Sequence, residues 1–130
     1  MRRSLILGCA LALLCAGAAL AQSRNDGFAD PAHFQQQGGA ALYRAICQGC
    51  HMPAGEGAVG AGAYPALARN ERLAAAGYPV LVVLDGSKSM PGFARMLSDA
   101  QVAAVVNYIR GNFGNAYSGA VTPSDVARAR

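Results

Sequence analysis

The five-residue stretch Cys47-Gln48-Gly49-Cys50-His51 constrains the fold of this chain more than any other part of its sequence. On a helical turn, residues three apart lie on one face, with about 5–6 Å between their Cβ atoms. Two thiols at this spacing can bond the two vinyl groups along one edge of a porphyrin, and His51 then turns its imidazole toward the iron. The stretch therefore predicts the attachment site of one haem c, held covalently through two thioethers.

Residues 1–21 have the pattern of a signal peptide. Arg2 and Arg3 give a positive start, residues 5–20 are almost wholly apolar, and the segment ends on a small-x-small cleavage site at Ala21. The apolar run is shorter than the roughly 20 residues needed to span a bilayer. We therefore expect cleavage before Gln22, a periplasmic mature protein and no stable membrane insertion after cleavage.

Loss of residues 1–21 would leave Cys47 and Cys50 from the four cysteines of the sequence. It would also remove two arginines from a formal net charge of +4. No basic stripe is present, so the charge gives no reason to expect a nucleic-acid partner. The chain contains no Trp and 16 glycines, which makes a thin protein core. A buried porphyrin would supply the missing apolar mass.

The sequence divides into four expected regions. Residues 1–21 are the cleaved signal, and residues 22–33 are a polar, flexible leader. Residues 34–115 form a single haem-binding domain, because their length suits one domain and not two. Residues 116–130 form a tail, in which a short helix can follow Pro123.

Helical patterns dominate the expected domain. Apolar residues recur at spacings of three and four over residues 34–47. Asn70 caps a short helix over residues 70–76, and Ser98 with Gln101 forms a capping box that opens a helix to about residue 113. The prediction is an all-α fold of four to five short helices wrapped around the haem.

Three segments between these helices need separate interpretation. Residues 79–84 have strand composition, but Pro79 at the start and Gly86 after the end favour a buried helix. Residues 54–63 are rich in glycine and are predicted to be a loop. A glycine at position 38 or 39 weakens an isolated helix, so its presence predicts the close approach of a second helix.

Iron held by one His needs a second ligand or keeps an open site. The candidates after the signal are Met52, Met90, Met96 and His33. Met52 adjoins His51 and cannot reach the opposite face of a porphyrin, Met96 suits core packing, and His33 suits the surface. Met90 lies in a loop pinned by Pro and Gly, which can hold a thioether rigidly. We therefore predict His51 and Met90 as the axial ligands.

With these residues in place, the chain resembles the class I c-type cytochromes over residues 34–115. The residues that look like the crossing of that family's first and last helices are Gly39, Tyr43, Val105 and Tyr108. Pro65 looks like the residue whose carbonyl orients the axial His, and Met90-Pro91 matches the Met-ligand loop. The resemblance implies a one-electron carrier and not an enzyme.

A narrower resemblance concerns Asn107-Tyr108-Ile109-Arg110, Phe113-Gly114-Asn115 and the tail from Val121 to Val126. These segments are similar to bacterial cytochrome domains that accept electrons from periplasmic dehydrogenases. That likeness implies a dehydrogenase as electron donor, or a role as its cytochrome subunit, with a terminal oxidase or another cytochrome as acceptor.

The expected exposed edge of the haem is apolar, and Lys88 is the only lysine of the chain. The residues expected at this edge are Ala54, Ala58, Val59, Ala61, Ala63 and Phe93. We therefore predict a mainly apolar docking patch with weak dependence on ionic strength. Arg69 or Arg72, and Tyr64, are candidates to face a haem propionate, although each is equally compatible with a solvated or packing role.

Other functions fit the motif less well. A haem enzyme or gas sensor is the alternative, and it requires Met90 to be absent from the iron or easily displaced. A thiol-disulfide oxidoreductase needs a strand before the helix that bears the cysteines, and no strand is predicted there. A structural zinc site needs four ligands, whereas Cys47, Cys50 and His51 supply three contiguous ones.

Overall fold

The computed structural model describes residues 33–60 and 62–130 of the protein. The predicted signal peptide, nearly all of the predicted leader, and Ala61 lie outside the described residues. The helices are α1 (Gly39–Leu42), α2 (Gln48–His51), α3 (Gly77–Asp85), α4 (Asp99–Gly111) and α5 (Pro123–Ala129). A π-helical stretch (Tyr43–Cys47) joins α1 to α2 without a break, and Glu71–Ala74 form a 3-10 turn.

One apolar core joins all of the long helices. Val102, Val106 and Val126 are fully buried at its centre, and Leu42 and Tyr43 meet them from the first helical segment. The other buried apolar residues are Leu73, Val80, Val83, Leu84, Leu97, Ala103, Val105, Ile109 and Val121. The predicted all-α fold is confirmed.

Helices α1 and α4 cross at Gly39. A Cβ atom at position 39 would lie 2.2 Å from the carbonyl oxygen of Ala104 and 2.5 Å from the Cβ of Tyr108. No side chain fits in that space, so the glycine is what allows the two backbones to approach. The predicted close approach at this position is confirmed, and the rings of Tyr43 and Tyr108 pack beside it with centroids 5.6 Å apart.

The first helix begins later than predicted. Residues 34–37 are not helical, and Gly38, with φ of 81°, precedes the first helical residue. The reason is a tertiary contact, because the Gln101 side-chain amide donates to the carbonyls of Phe34 and Gln36 at 2.7 and 3.0 Å. These bonds hold the segment in a non-helical conformation against α4.

The glycine-rich segment is not only a loop. Strands β1 (Ala58–Val59) and β2 (Ala63–Tyr64) pair antiparallel, with Ala58 opposite Tyr64 and Val59 opposite Ala63. Each strand is only two residues long, so neither shows the alternation by which a strand is recognised in sequence. The prediction of loop alone was wrong at this point.

The other local predictions hold, except that the helix predicted over residues 70–76 is only the 3-10 turn Glu71–Ala74. Residues 79–84 lie within α3, which Gly86 ends with φ of 80°. The side chain of Asn70 accepts a hydrogen bond from Arg72 N at the 3-10 turn. Ser98 and Gln101 form the predicted capping box, although α4 ends at Gly111, two residues before the predicted end. A second capping box, between Thr122 and Asp125, opens α5.

Within residues 33–60 and 62–130, no helix combines the length and apolar character that a membrane span requires.

Candidate functional site

A cavity of about 780 Å³ lies beside the Cys-x-x-Cys-His motif, within the range of about 300–1,000 Å³ that is typical of ligand pockets. Cys47, Cys50, His51 and Met90 all line it. The other lining residues come from the hairpin, from α3 and from the loop around Met90, and they include Ala58, Val59, Ala63, Tyr64, Tyr78, Val82 and Phe93. The four predicted haem-binding residues therefore share one cavity.

A second, smaller recess of about 110 Å³ lies against the core. It shares Cys47, His51 and Met90 with the main cavity, and its other walls include Leu73, Val83, Val105 and Ile109. These branched apolar side chains belong to the 3-10 turn, α3 and α4. The inner end of the site is therefore apolar and closed by the core.

The imidazole of His51 is buried and oriented by one hydrogen bond. Its Nδ1 atom lies 2.9 Å from the carbonyl oxygen of Pro65, and a carbonyl oxygen can only accept. Nδ1 therefore carries the proton, which leaves the Nε2 lone pair available to bind a metal ion. The orienting contact predicted for Pro65 is present.

The end of α2 at His51 and Met52 is held by hydrogen bonds from both sides of the sequence. Met52 ends α2 in the left-handed region, with φ of 65°, a conformation that costs energy for a residue with a Cβ. The Tyr43 hydroxyl donates to the Met52 carbonyl at 2.7 Å, and Gly57 N donates to the His51 carbonyl at 3.1 Å. These bonds fix the end of α2, here called the motif helix, next to the cavity.

The two cysteines are free thiols, with Cys47 half-buried and Cys50 exposed. Burial, with a smaller contribution from the neighbouring Cys50, raises the pKa of the Cys47 thiol to about 11. A disulfide oxidoreductase instead needs a thiol whose pKa is lowered. Cys47 ends the π-helical stretch and Cys50 lies in α2, and α1, not a strand, precedes them. Both observations disfavour the oxidoreductase alternative.

Met90 is half-buried in a tight turn at the cavity wall. Ser87 N donates to Met90 O at 3.0 Å, and Met90 N donates to Ser87 O at 2.9 Å. A Cβ at Gly86 would lie 2.4 Å from Met90 O, so glycine is required for the turn to close. These contacts place the thioether of Met90 at the cavity on a constrained backbone.

Some of the other candidates from the sequence line the two cavities, and others do not. Met52, Met96 and His33 are absent from the lining of both cavities. Arg72 lines both cavities, whereas Arg69 does not and packs beside Gly114. In the predicted apolar edge, Ala54 is absent from the lining, while the others among the described residues take part. Across the described ranges, no group of three or more His, Cys, Asp or Glu side chains is placed to hold a metal ion.

Two buried polar residues that support the site were not predicted. The Asn115 side chain accepts from Asn70 N at 3.0 Å and donates to Leu67 O and Ile109 O, both at 2.8 Å. It therefore ties the segment after Pro65 to α4. Nothing near Asn115 in the sequence signals these partners, which lie up to 48 residues away.

Arg110 is the second, with 3% of its surface exposed. Its Nε donates to Leu73 O at 2.9 Å, and its Nη2 donates to Ser118 O at 2.7 Å and Ala74 O at 3.3 Å. Nη1 donates to Gly119 O. A basic residue near a helix end commonly satisfies helix carbonyls, but here all of its partners belong to other segments.

The site fits a haem with two thioether links. Two unbonded thiols on one turn, an imidazole with its Nε2 free and a thioether on a constrained loop border a largely apolar cavity. His51 and Met90 are the donor types that hold iron in electron-transfer cytochromes. Haem c is therefore compatible with both the donor set and the cavity.

Comparison with known proteins also indicates a cytochrome c domain. The family described as cytochrome c oxidase, cbb3-type, subunit III matches residues 34–109, more than half of the chain. The chain is also similar to the cytochrome c subunit of the quinone alcohol dehydrogenase of Gluconobacter oxydans (strain 621H), with 33% identity over 117 residues. That match covers 74% of this chain and 22% of that protein.

Two further relatives have similar descriptions. The fructose dehydrogenase cytochrome subunit of Gluconobacter japonicus is 34% identical over 93 residues, which cover 60% of this chain and 19% of that protein. The gluconate 2-dehydrogenase cytochrome c subunit of Pantoea cypripedii is 52% identical over 42 residues, covering 32% and 10%. The chain thus spans at most about a fifth of the length of these relatives.

The family match, the helical fold and the cavity beside the Cys-x-x-Cys-His motif agree on one class of protein. The matched relatives are cytochrome subunits. The chain belongs to the cytochrome c family, and its helical fold is consistent with the class I c-type.

Proposed function

We propose that this chain carries one haem c, attached through thioethers at Cys47 and Cys50, with His51 and Met90 as its axial ligands. It accepts single electrons from a dehydrogenase and passes them to a terminal oxidase or another cytochrome. The observation that supports this most is the cavity of about 780 Å³ that both thiols, the imidazole and the Met90 side chain line together.

Each residue has a defined task in this proposal. When bound, the haem supplies a one-electron couple. Cys47 and Cys50 fix its edge to the motif helix, and the Pro65 carbonyl keeps the proton on Nδ1 of His51, so that Nε2 faces the metal. The Met90 thioether raises the reduction potential because it favours ferrous iron. The apolar inner wall excludes water and acts in the same direction.

A dehydrogenase is the proposed donor because the relatives are dehydrogenase cytochrome subunits. The structure supports docking of a protein at the cavity rim. Val59 is 93% exposed and Tyr64 is 41% exposed, and both also line the cavity. An electron can leave through such an apolar rim without a substrate entering the site.

Haem attachment is tested by the protein produced with a cytochrome c maturation system. A mass increase of one haem, and haem staining that persists on a denaturing gel, are expected for the wild type. The Cys47→Ala, Cys50→Ala double variant should lose both signals. Stain in the double variant would contradict thioether attachment at these positions.

Axial ligation is tested with a pair of methionine variants. Met90→Ala should abolish the far-red Met-to-iron band of the ferric protein and lower the reduction potential by on the order of 0.1 V, a fraction of the about 0.8 V over which axial ligands set potentials. Met96→Ala is the control, because Met96 does not line the cavity and should keep the band. A low-spin spectrum and potential that survive Met90→Ala would remove Met90 from the ligand set.

The ferric spectrum also distinguishes the proposed electron carrier from the alternative function. A high-spin ferric wild type that binds small ligands readily would favour a haem enzyme or gas sensor with an open site.

Export to the periplasm is the last part of the proposal, and the pattern of residues 1–21 supports it. Cell fractionation with N-terminal sequencing should find the holoprotein in the periplasm, beginning at Gln22. A retained residue 1–21 segment in the holoprotein would contradict cleavage at that position.

A further inference from the structure

Residues 117–130, here called the strap, pack against the core beyond the part of the chain that the family matches, which ends at residue 109. Val121 is 6% exposed and Val126 is fully buried. The side-chain amide of Asn107 donates to Val121 O and accepts from Val121 N, both at 2.8 Å. The strap is therefore fixed to α4 at its start and in its middle.

The far end of the strap contacts residues 94–97. These directly follow the loop around Met90 (residues 86–93, here called the Met90 loop). Nη2 of Arg130 donates to Leu97 O at 2.8 Å, and Nε donates to Asp99 Oδ1 at 2.6 Å. Nη1 donates to Ala94 O. One guanidinium thus joins two carbonyls of residues 94–97 to the first turn of α4, and its planar fork suits several acceptors at once.

Residues 93–97 close the Met90 loop. Phe93 N donates to Val83 O at 2.8 Å, and Ala94 N donates to Leu84 O at 3.1 Å, which ties the end of the loop to the last turn of α3. Leu97 N donates to Phe93 O at 3.0 Å. Arg130 therefore holds the outer side of the same short segment that α3 holds on the inner side.

We propose that Arg130 is a positioning residue for Met90. By fixing residues 94–97, it limits opening of the loop and keeps the thioether at the cavity. This inference rests on the proposed axial role of Met90. In the holoprotein, opening of this loop would release the iron site that Met90 would occupy, and added imidazole would compete for that site without a change in oxidation state.

The test compares Arg128, in the last turn of α5, with Arg130, which directly follows that helix. Arg130→Gln removes the three contacts, whereas Arg128→Gln is the matched control, because Arg128 pairs with Asp125 and its side chain is 71% exposed. Ferric protein is titrated with imidazole while the far-red band is followed. We expect the affinity of Arg130→Gln for imidazole to rise about tenfold, equivalent to about 1.4 kcal/mol, and that of Arg128→Gln to match the wild type.

A second readout does not depend on the iron. Amide hydrogen exchange of Phe93 and Ala94 should accelerate in Arg130→Gln and stay unchanged in Arg128→Gln. Arg130→Lys, which keeps a cation able to donate to the same carbonyls, should restore part of the wild-type imidazole affinity. This partial rescue is not expected from a general loss of stability.

The outcomes separate the two proposals. A wild type with the far-red band, combined with an Arg130→Gln variant whose imidazole affinity and amide exchange equal those of the wild type, would overturn the positioning role alone. A wild type without the band, in which Met90→Ala changes nothing, would overturn the ligation by Met90 and the positioning role with it.

Discussion

The Nδ1 atom of His51 donates a hydrogen bond to the carbonyl oxygen of Pro65, 2.9 Å away and 14 residues further along the chain. The imidazole comes from the end of the motif helix, and the carbonyl comes from the segment directly after β2. The short hairpin therefore returns the chain to His51 and sets the tautomer of its ring.

Substitution of Pro65 tests this bond. Pro65→Ala keeps the carbonyl but frees φ, so the hydrogen bond should weaken and the imidazole should become a poorer donor to ferric iron. We expect the reduction potential to rise by on the order of 10–60 mV, since 59 mV corresponds to tenfold for one electron. Voltammetry measures it, with exposed Pro53→Ala as the control. A fall in the potential of Pro65→Ala would contradict the role of the bond.

The close crossing of α1 and α4 predicts a large loss of stability when Gly39 is substituted. Gly39→Ala places a Cβ against the Ala104 carbonyl and Tyr108, and such overpacking costs about 1–3 kcal/mol or more. Gly111→Ala is the control, because a Cβ there meets nothing within 4 Å and should change stability by about 1 kcal/mol at most. Urea unfolding of both variants gives the comparison. Equal midpoints for the two would show that the crossing tolerates a side chain.

The Tyr43 hydroxyl predicts a loss of stability at alkaline pH. Burial is the main cause that raises its pKa to about 12 from 10.0, with smaller contributions from Cys47, Glu56 and Tyr108. The folded state holds this proton more tightly than the unfolded state. The stabilisation is therefore complete below about pH 10 and disappears as pH rises from 10 to 12.

Unfolding midpoints at pH 8, 10 and 11 measure this effect. Tyr43→Phe should lose about 1 kcal/mol at neutral pH with the Met52 hydrogen bond, and its stability should decline less steeply above pH 10. Tyr64→Phe, at an exposed position, should keep the wild-type slope. Parallel curves for wild type and Tyr43→Phe would exclude Tyr43 as the source of the decline.

Asp125 predicts a loss of stability at acid pH. The hydrogen bond from the Thr122 hydroxyl, followed by that from Thr122 N, lowers the pKa of this carboxyl below 3.8, and Arg128 adds to the effect. The stabilisation is thus present above pH 3.8 and disappears as pH falls through the lower folded-state pKa. Asp125→Asn should flatten the acid side of the stability curve. Unfolding midpoints of the wild type and Asp125→Asn, measured between pH 6 and 2, test this prediction.

The exposed rim predicts how the protein would dock with the proposed donor dehydrogenase. Val59 lies on the rim, whereas Leu81 is 49% exposed on α3 and does not line the cavity. With wild type, the rate of reduction by a quinone-dependent dehydrogenase should change little with ionic strength. Val59→Lys should slow the reaction and make it depend on salt, and Leu81→Lys should do neither. Stopped-flow rates that collapse with salt in the wild type would refute an apolar docking patch.

Sequence reasoning succeeded where a few adjacent residues determine the structure. The Ser98–Gln101 capping box, the turn at Gly86 and the motif helix depend on local chemistry that can be recognised in the sequence. It failed at residues 34–37 because the Gln101 side chain, more than 60 residues away, holds them out of a helix. It also missed the two-residue strands, which are too short to show a pattern.

The candidate site also contains some residues that the sequence reveals and others that it does not. Its cysteines and His51 follow one another in the motif, and Met90 stands out among few methionines. The supports at Asn115 and Arg130 bond to carbonyls as far as 48 and 36 residues away, and any residue can supply a carbonyl. No residue type at the acceptor end marks such a bond, so the sequence alone does not reveal it.

The buried guanidinium of Arg110 has a consequence for how the protein opens. It bonds Leu73 and Ala74 on one side and Ser118 and Gly119 on the other. If either segment detached, a buried cation would lose acceptors that nothing in its place supplies. We therefore expect the 3-10 turn and the strap to exchange amide hydrogens as one cooperative unit, so that Leu73, which lines the inner recess, does not leave the site independently of the strap.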